Sequence, residues 1–142
     1  MMAGGYCSFQ GIDGLAMFRG TGVEECLPIE CFPGPDGLEA PEGLDPVIHE
    51  IGHSILAGVP SPIPYLLGMN RVAARGGETK TLINCRHRTG QNPLLSVRDY
   101  GAGRTLAWTT DIGPHWLSQE FMRWTGYDLL MANMIRWLAR EI

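Results

Sequence analysis

The chain has 142 residues, of which 44% are hydrophobic and 18% charged, a composition that indicates one globular domain with a single core. Its net charge of −4 argues against a nucleic-acid surface, which needs clustered Lys and Arg. The sequence lacks the long apolar run of a membrane span and the charged-then-apolar order of a signal peptide. We therefore expect a cytoplasmic protein without nucleic-acid or membrane partners.

The N-terminal segment Gly4-Gly5-Tyr6-Cys7-Ser8-Phe9 has the composition of a nucleophile elbow, a sharp turn between a strand and a helix. Glycine beside the cysteine suits such a turn because it tolerates positive φ and close backbone contacts. An elbow needs a strand before it to deliver the nucleophile, but only residues 1–3 precede this segment. The alternative is an ordinary loop whose cysteine packs as a small apolar residue.

The first half of the chain is rich in glycine and proline and is predicted to form short elements. In chain order we expect a helical turn at 23–27, a strand at 29–32, turns at 33–37 and 41–43, and a helix from 45 to 57.

The second half has clearer patterns. Strands are predicted at 65–72 and 81–85, and a hairpin from 94–97 and 105–109 around Tyr100-Gly101-Ala102-Gly103. A helix capped by Thr125 follows, because its apolar residues repeat every 3.6 positions and form one stripe, comprising Leu130, Met131, Met134, Trp137 and Leu138.

Residues 49–53 read His-Glu-Ile-Gly-His and match a zinc-peptidase motif. On a helix, His49 and His53 would share one face and could bind zinc, with Glu50 polarising a bound water. The extended pattern is absent, since Leu56 and Val59 stand where a glycine and a third histidine are wanted. Zinc peptidase activity is kept as a remote alternative.

Asp111-Ile112-Gly113-Pro114-His115-Trp116 directly follows a predicted strand. Strand-end loops of α/β sheets form ligand crevices, where a histidine can act as a base for a cysteine on another strand end. The alternative is structural: His115 packs on Trp116 or caps the next helix.

Several blocks, in order across nearly the whole chain, resemble a bacterial branch of the class I glutamine amidotransferase-like family: residues 5–12, 21–28, 53–58, 67–72, 100–104 and 111–116. The resemblance implies a flavodoxin-like α/β fold with β-hairpins and a C-terminal helix. It also implies that full-length members carry roughly 100 further N-terminal residues on the scale of ordinary domains. Residues 1–142 are therefore expected to be the C-terminal part of such a domain, without its N-terminal strand-helix units.

The resemblance also assigns roles. Cys7 would be the nucleophile that attacks an amide, and His115 the base that protonates the departing ammonia. The backbone N–H of Ser8 would help to hold the oxyanion. Gly5, Tyr6 and Trp116 would line the ligand site, without metal or cofactor. His53 would open a short helical turn, which makes the zinc match accidental.

Two positions depart from the family pattern. Phe9 replaces the last glycine of the elbow, and Leu117 stands where a glutamate normally orients the histidine, so that Asp111 or Glu120 would have to replace it. Cysteine-dependent amide hydrolysis or transfer is thus one reading, and a catalytically silent module that binds a small ligand or a subunit is the other. A third is a poorly folding piece whose open sheet edge a homo-oligomer could cover.

Overall fold

The computed structural model describes residues 1–88 and 90–142. Their strands are β1 (Met2–Ala3), β2 (Ile29–Cys31), β3 (Gly37–Leu44), β4 (Pro46–Ile48), β5 (Leu66–Asn70), β6 (Val72–Ala74), β7 (Lys80–His87), β8 (Gly90–Tyr100) and β9 (Gly103–Trp108). The α-helices are α1 (Gly22–Cys26), α2 (Gln119–Arg123) and α3 (Tyr127–Leu138), and short 3₁₀ turns lie at Ile12–Gly14 and Ser54–Leu56.

The central sheet has five strands in the order β1-β9-β8-β7-β4. β1 pairs with β9 in parallel, with Met2 opposite Ala107, whereas the other three pairings are antiparallel. Two small antiparallel sheets, β2–β6 and β3–β5, complete the strands. The predicted α/β class is confirmed as a mixed sheet with few helices.

The hairpin of β8 and β9 is confirmed and is longer than predicted. Its pairing runs from Leu95 opposite Trp108 to Tyr100 opposite Gly103. Gly101 turns the chain at a φ of 56°, a conformation that glycine adopts without a steric penalty. The helical turn at 23–27 and the short strand at 29–32 are also confirmed within a residue at each end.

The helix predicted over residues 45–57 is wrong. Pro46–Ile48 is instead an edge strand that pairs with β7, placing Pro46 opposite Cys85. Proline is tolerated there because an edge strand leaves one side of its backbone unpaired. Only Ser54–Leu56 forms a short 3₁₀ turn, in agreement with the turn that the family resemblance implied after His53.

The turn predicted at 41–43 is wrong as well, because β3 continues to Leu44. Its register against β5 shifts between Glu39 and Leu44, and Gly43 takes a φ of 94°. Gly43 therefore lies in a bulge of the strand, whereas the sequence predicts that it reverses the chain.

The main core lies between the central sheet and α3. Leu130, Met134 and Trp137 of the predicted stripe are buried in it, and Met131 and Leu138 pack at its edge. Gly126, not Thr125, is the residue before the first turn of α3. Within the described residues, no helix is both long enough and apolar enough to cross a lipid bilayer.

Candidate functional site

The parallel pairing of β1 with β9 places two connecting segments side by side. The turn after β1 holds Tyr6 and Cys7, and the loop after β9 holds Asp111 and His115. Gly4 joins the segments, since its N–H contacts the carbonyl oxygens of Trp108 at 2.7 Å and Thr110 at 2.9 Å. Neighbouring parallel strands end at the same sheet edge, which brings these side chains together.

The ring of His115 is held from both sides. Its Nδ1 lies 2.8 Å from Oδ2 of Asp111, and its Nε2 lies 2.9 Å from the hydroxyl of Tyr6. An ionised carboxylate can only accept, so Nδ1 carries the hydrogen. In the neutral ring, Nε2 is then the acceptor and the Tyr6 hydroxyl is its donor.

Glu39 of β3 lies beside Tyr6 and Trp116, and together with Tyr6 and His115 it forms the corner of the site. Its Oε1 accepts a hydrogen bond from Nε1 of Trp116 at 2.9 Å and lies 3.3 Å from the Tyr6 hydroxyl. Sequence reasoning missed Glu39, which lies 77 positions from Trp116. No local motif marks it.

Partial desolvation, followed by the negative charge of Glu39, raises the pKa of Tyr6 above its ordinary value of 10.0. The hydroxyl therefore keeps its proton at neutral pH and remains a donor. Since it has a single hydrogen, His115 and Glu39 compete for it.

A buried pair supports the turn after β1. Asn70 and Asp36 are both fully buried, and Nδ2 of Asn70 donates to Oδ1 of Asp36 at 2.8 Å. The same amide binds both backbone groups of Gly5, accepting from its N–H at 2.9 Å and donating to its carbonyl at 3.1 Å. Asp36 also accepts from the N–H of Gln10 at 2.8 Å. These bonds hold both ends of residues 5–10.

Cys7 is exposed, and its sulfur has no hydrogen-bond partner within residues 1–88 and 90–142. The N–H of Ser8, expected to face an oxyanion, donates to the carbonyl of Gly5 at 3.3 Å. The next ordered element is the 3₁₀ turn Ile12–Gly14, not the α-helix of an elbow. The structure thus brings together Asp111, His115, Tyr6 and Trp116, and leaves Cys7 outside their hydrogen bonds.

The two departures from the family pattern have structural counterparts. Phe9 is fully buried at a φ of 55°, in the left-handed region that a glycine would occupy without strain. Leu117 is buried, and Glu120 is exposed on α2. Of the two carboxylates considered, Asp111 is the one that contacts His115.

His115 has a second unusual property, a backbone φ of 136°. Such conformations cost about 1–3 kcal/mol in a non-glycine residue and cluster at functional sites. Its ring also stacks on Trp116, with centroids 5.5 Å apart and planes 28° apart. The packing predicted as the structural alternative therefore coexists with the bond to Asp111.

The zinc motif lacks the geometry that it requires. His49 and Glu50 follow β4 and His53 precedes the 3₁₀ turn, so no helix places the two histidines on one face. Among the described residues, no three His, Cys, Asp or Glu side chains form a group that could hold a metal ion.

The fold and the site together define an α/β domain with an Asp–His pair beside a cysteine turn, at the ends of two parallel strands. The chain belongs to the family described as "Putative glutamine amidotransferase", whose model matches residues 1–140. No curated protein is similar enough to the chain to count as a match.

Two solved structures are similar to the chain. Cytoplasmic Protein STM3548 from Salmonella typhimurium is 32% identical with a TM-score of 0.87, and the match covers 96% of this chain and 53% of that protein. Cytoplasmic Protein STM1381 from Salmonella typhimurium LT2 is 30% identical, with the same TM-score and coverage. The chain thus spans about half the length of these proteins.

Proposed function

We propose that this domain binds a small molecule bearing a carboxamide at the corner formed by Tyr6, His115 and Glu39, without using Cys7 as a nucleophile. The observation that carries the proposal is the 2.9 Å contact between Nε2 of His115 and the Tyr6 hydroxyl. A base for Cys7 would need Nε2 to face the thiol, because proton abstraction requires hydrogen-bond reach.

The charges of the corner select the ligand. Glu39 and Asp111 present carboxylate oxygens, which suit the N–H₂ donors of an amide and disfavour a carboxylate in the same place. The Tyr6 hydroxyl can donate to the amide oxygen once it turns from His115. The strained backbone of His115 is consistent with a ligand site.

Calorimetric titration with L-glutamine tests this proposal, with L-glutamate as the charged isostere. We expect saturable binding of glutamine, at least tenfold weaker binding of glutamate, and a tenfold loss in Tyr6→Phe and in Glu39→Gln. Tyr65→Phe is the matched control because Tyr65 is also exposed and its hydroxyl makes no hydrogen bond to another described residue. Absence of glutamine binding, or equal effects of the two tyrosine substitutions, would contradict the proposal.

A second candidate is cysteine-dependent amide hydrolysis or transfer. It is favoured by the 2.8 Å bond from Asp111 to His115, which supplies an oriented base on the loop beside the exposed Cys7. The thiolate would attack the amide carbon, His115 would return the proton to the leaving ammonia, and water would cleave the thioester. Tyr6 would first have to leave Nε2.

Ammonia release from glutamine separates the two candidates. Turnover that is lost in Cys7→Ala and kept in Cys26→Ala would support the enzyme. The silent module would be supported if the wild type binds glutamine without releasing ammonia. Tyr6→Phe, in which Nε2 of His115 is no longer occupied by the tyrosine hydroxyl, should then release no ammonia either.

Three wider expectations accompany the site. A flavodoxin-like arrangement of the whole protein is supported by the parallel β1–β9 pairing. A cytoplasmic location is supported by the names of the two Salmonella proteins. Homo-oligomers could form at the outer edges of β1 and β4, and light scattering of the purified protein tests for them.

A further inference from the structure

Helix α3 is buried on one side and uncovered on the other. Its inner side packs into the main core through Leu130, Met134 and Trp137. The exposed residues of the helix are Asp128, Leu129, Ala132, Ile135 and Arg136. Because successive helix positions turn by about 100°, these five lie on one continuous face. We call it the outer face of α3.

The outer face carries two large apolar side chains. Leu129 is 38% exposed and Ile135 is 57% exposed. A single exposed apolar side chain is ordinary, whereas several on one face indicate a contact surface. They stand beside two charges of opposite sign, so the face suits a partner that is both apolar and charged.

The five exposed positions are symmetric about Ala132. Leu129 and Ile135 lie three residues on either side of it, and Asp128 and Arg136 lie four residues on either side. A two-fold axis through Ala132, perpendicular to the helix, would place an antiparallel second copy on this face. Asp128 would then meet Arg136 of the second copy, Leu129 would meet Ile135, and Ala132 would meet Ala132. The outer face is therefore complementary to itself.

The two charges select this orientation. Among residues 1–88 and 90–142, Asp128 forms no ion pair, and Nε of Arg136 lies 3.6 Å from Glu141 in an exposed contact. A guanidinium has five N–H donors, so Arg136 can bind a further carboxylate. A parallel pair of helices would bring Asp128 onto Asp128 and Arg136 onto Arg136. Like charges in contact disfavour that arrangement.

The size of the outer face determines the strength of the contact. The small side chain of Ala132 at the centre permits a close approach, because the distance between packed helices depends on the side chains at the crossing. Helix α3 has 12 residues and is about 18 Å long. Such a contact buries less than the roughly 1,200 Å² of an ordinary stable complex, so the association should be weak and reversible.

We propose that the outer face of α3 binds a second copy of this chain, as an antiparallel two-fold pair with Ala132 at its centre. Helix α3 covers a face of the central sheet, so this surface is distinct from the open edges of β1 and β4. The pairing does not depend on carboxamide binding at the candidate functional site.

Sedimentation velocity of the whole chain tests the proposal. We expect a monomer at about 5 µM and an increasing share of dimer towards about 500 µM, as an affinity in the micromolar range requires. A chain that remains monomeric over this range would overturn the proposal.

Charge reversal tests the pairing of residues. Asp128→Arg would bring two cations together at each end of the pair, and Arg136→Asp two anions, so each variant alone should dimerise at least tenfold more weakly. In an equal mixture the two variants oppose unlike charges at both ends and should form a heterodimer, a gain that misfolding cannot produce. Glu30→Arg on β2 and Arg86→Asp on β7 are the matched controls at exposed positions. Each should dimerise like the wild type, and mixing them should add nothing.

A further variant tests the apolar contact. Ile135→Gln should weaken dimerisation at least tenfold, because it removes one apolar side chain at each end of the pair. Leu15→Gln is the control, since Leu15 is 65% exposed and follows the 3₁₀ turn Ile12–Gly14. A dimer that withstands Ile135→Gln, or a mixture of Asp128→Arg with Arg136→Asp that stays monomeric, would overturn the proposal.

Discussion

The hydroxyl of Tyr6 and Nε2 of His115 lie 2.9 Å apart, although 109 positions separate the two residues. This contact links the turn after β1 to the loop after β9 through side chains, in addition to the backbone bonds of Gly4. It also occupies the nitrogen that would serve a cysteine nucleophile. The chemistry of the corner therefore depends on where the Tyr6 hydroxyl points.

Asp111 should determine the tautomer of His115. In the wild type we expect the neutral ring to carry its hydrogen on Nδ1, because Oδ2 of Asp111 accepts at 2.8 Å. Asp111→Ala should shift the ring towards the Nε2–H form. Nitrogen-15 chemical shifts, assigned with His115→Gln, report the tautomer directly. An Nε2–H ring in the wild type, or no change in Asp111→Ala, would refute this assignment.

Asn70→Ala should destabilise the fold and loosen the turn that carries Cys7. The substitution removes the donor to buried Asp36 and both bonds to Gly5, and we expect a loss of about 2–3 kcal/mol in the free energy of unfolding. Asn84→Ala is the control, because Asn84 makes one 3.4 Å bond to Gln91 and should cost about 0.5 kcal/mol or less. Urea unfolding measures the free energy of unfolding of both variants. Similar losses in the two would show that the buried bonds of Asn70 do not stabilise the fold more than an exposed bond does.

Gly68→Ala should displace Trp116 from Glu39. A Cβ on Gly68 would overlap the five-membered ring of the Trp116 indole and lie 2.8 Å from the carbonyl oxygen of Leu38. Overpacking of this kind costs about 1–3 kcal/mol. Nothing lies within 4 Å of a Cβ on Gly76, so Gly76→Ala should be tolerated. Thermal unfolding compares the stability of the two variants, and glutamine binding is the second measurement. A Gly68→Ala protein with the stability and the glutamine affinity of the wild type would contradict this prediction.

Stability should fall at alkaline pH. Burial raises the pKa of Cys85 from 9.0 to about 12, so the folded state keeps a proton that the unfolded chain releases. The stabilisation is complete below pH 9 and is lost as the pH rises towards 12, at about 1.4 kcal/mol per pH unit for one thiol. Cys31, with a pKa also raised to about 12 by burial, acts in the same direction.

Cys85→Ala should flatten that decline, whereas Cys7→Ala at an exposed position should leave it unchanged. Urea unfolding between pH 8 and pH 10.5 provides the measurement. Equal slopes in the wild type and Cys85→Ala would show that this thiol does not control alkaline stability.

Elements that depend on local signals could be predicted from the sequence. The amphipathic period of α3 and the alternation and glycines of the β8–β9 hairpin identified both elements. The loop after β9 is a site candidate from the sequence because it directly follows a predicted strand and carries His115. Local signals failed at residues 45–57, where β4 pairs with β7, whose partner residues lie 35–39 positions further along the chain.

The sequence by itself thus determined the α/β class, the apolar face of α3 and the family whose motifs surround Cys7 and His115. Only the tertiary structure decided that Tyr6 contacts His115, that Glu39 completes the corner and that Asn70 with Asp36 supports the turn. These contacts join residues 33–109 positions apart. Their geometry follows from strand order and register, which no local periodicity contains.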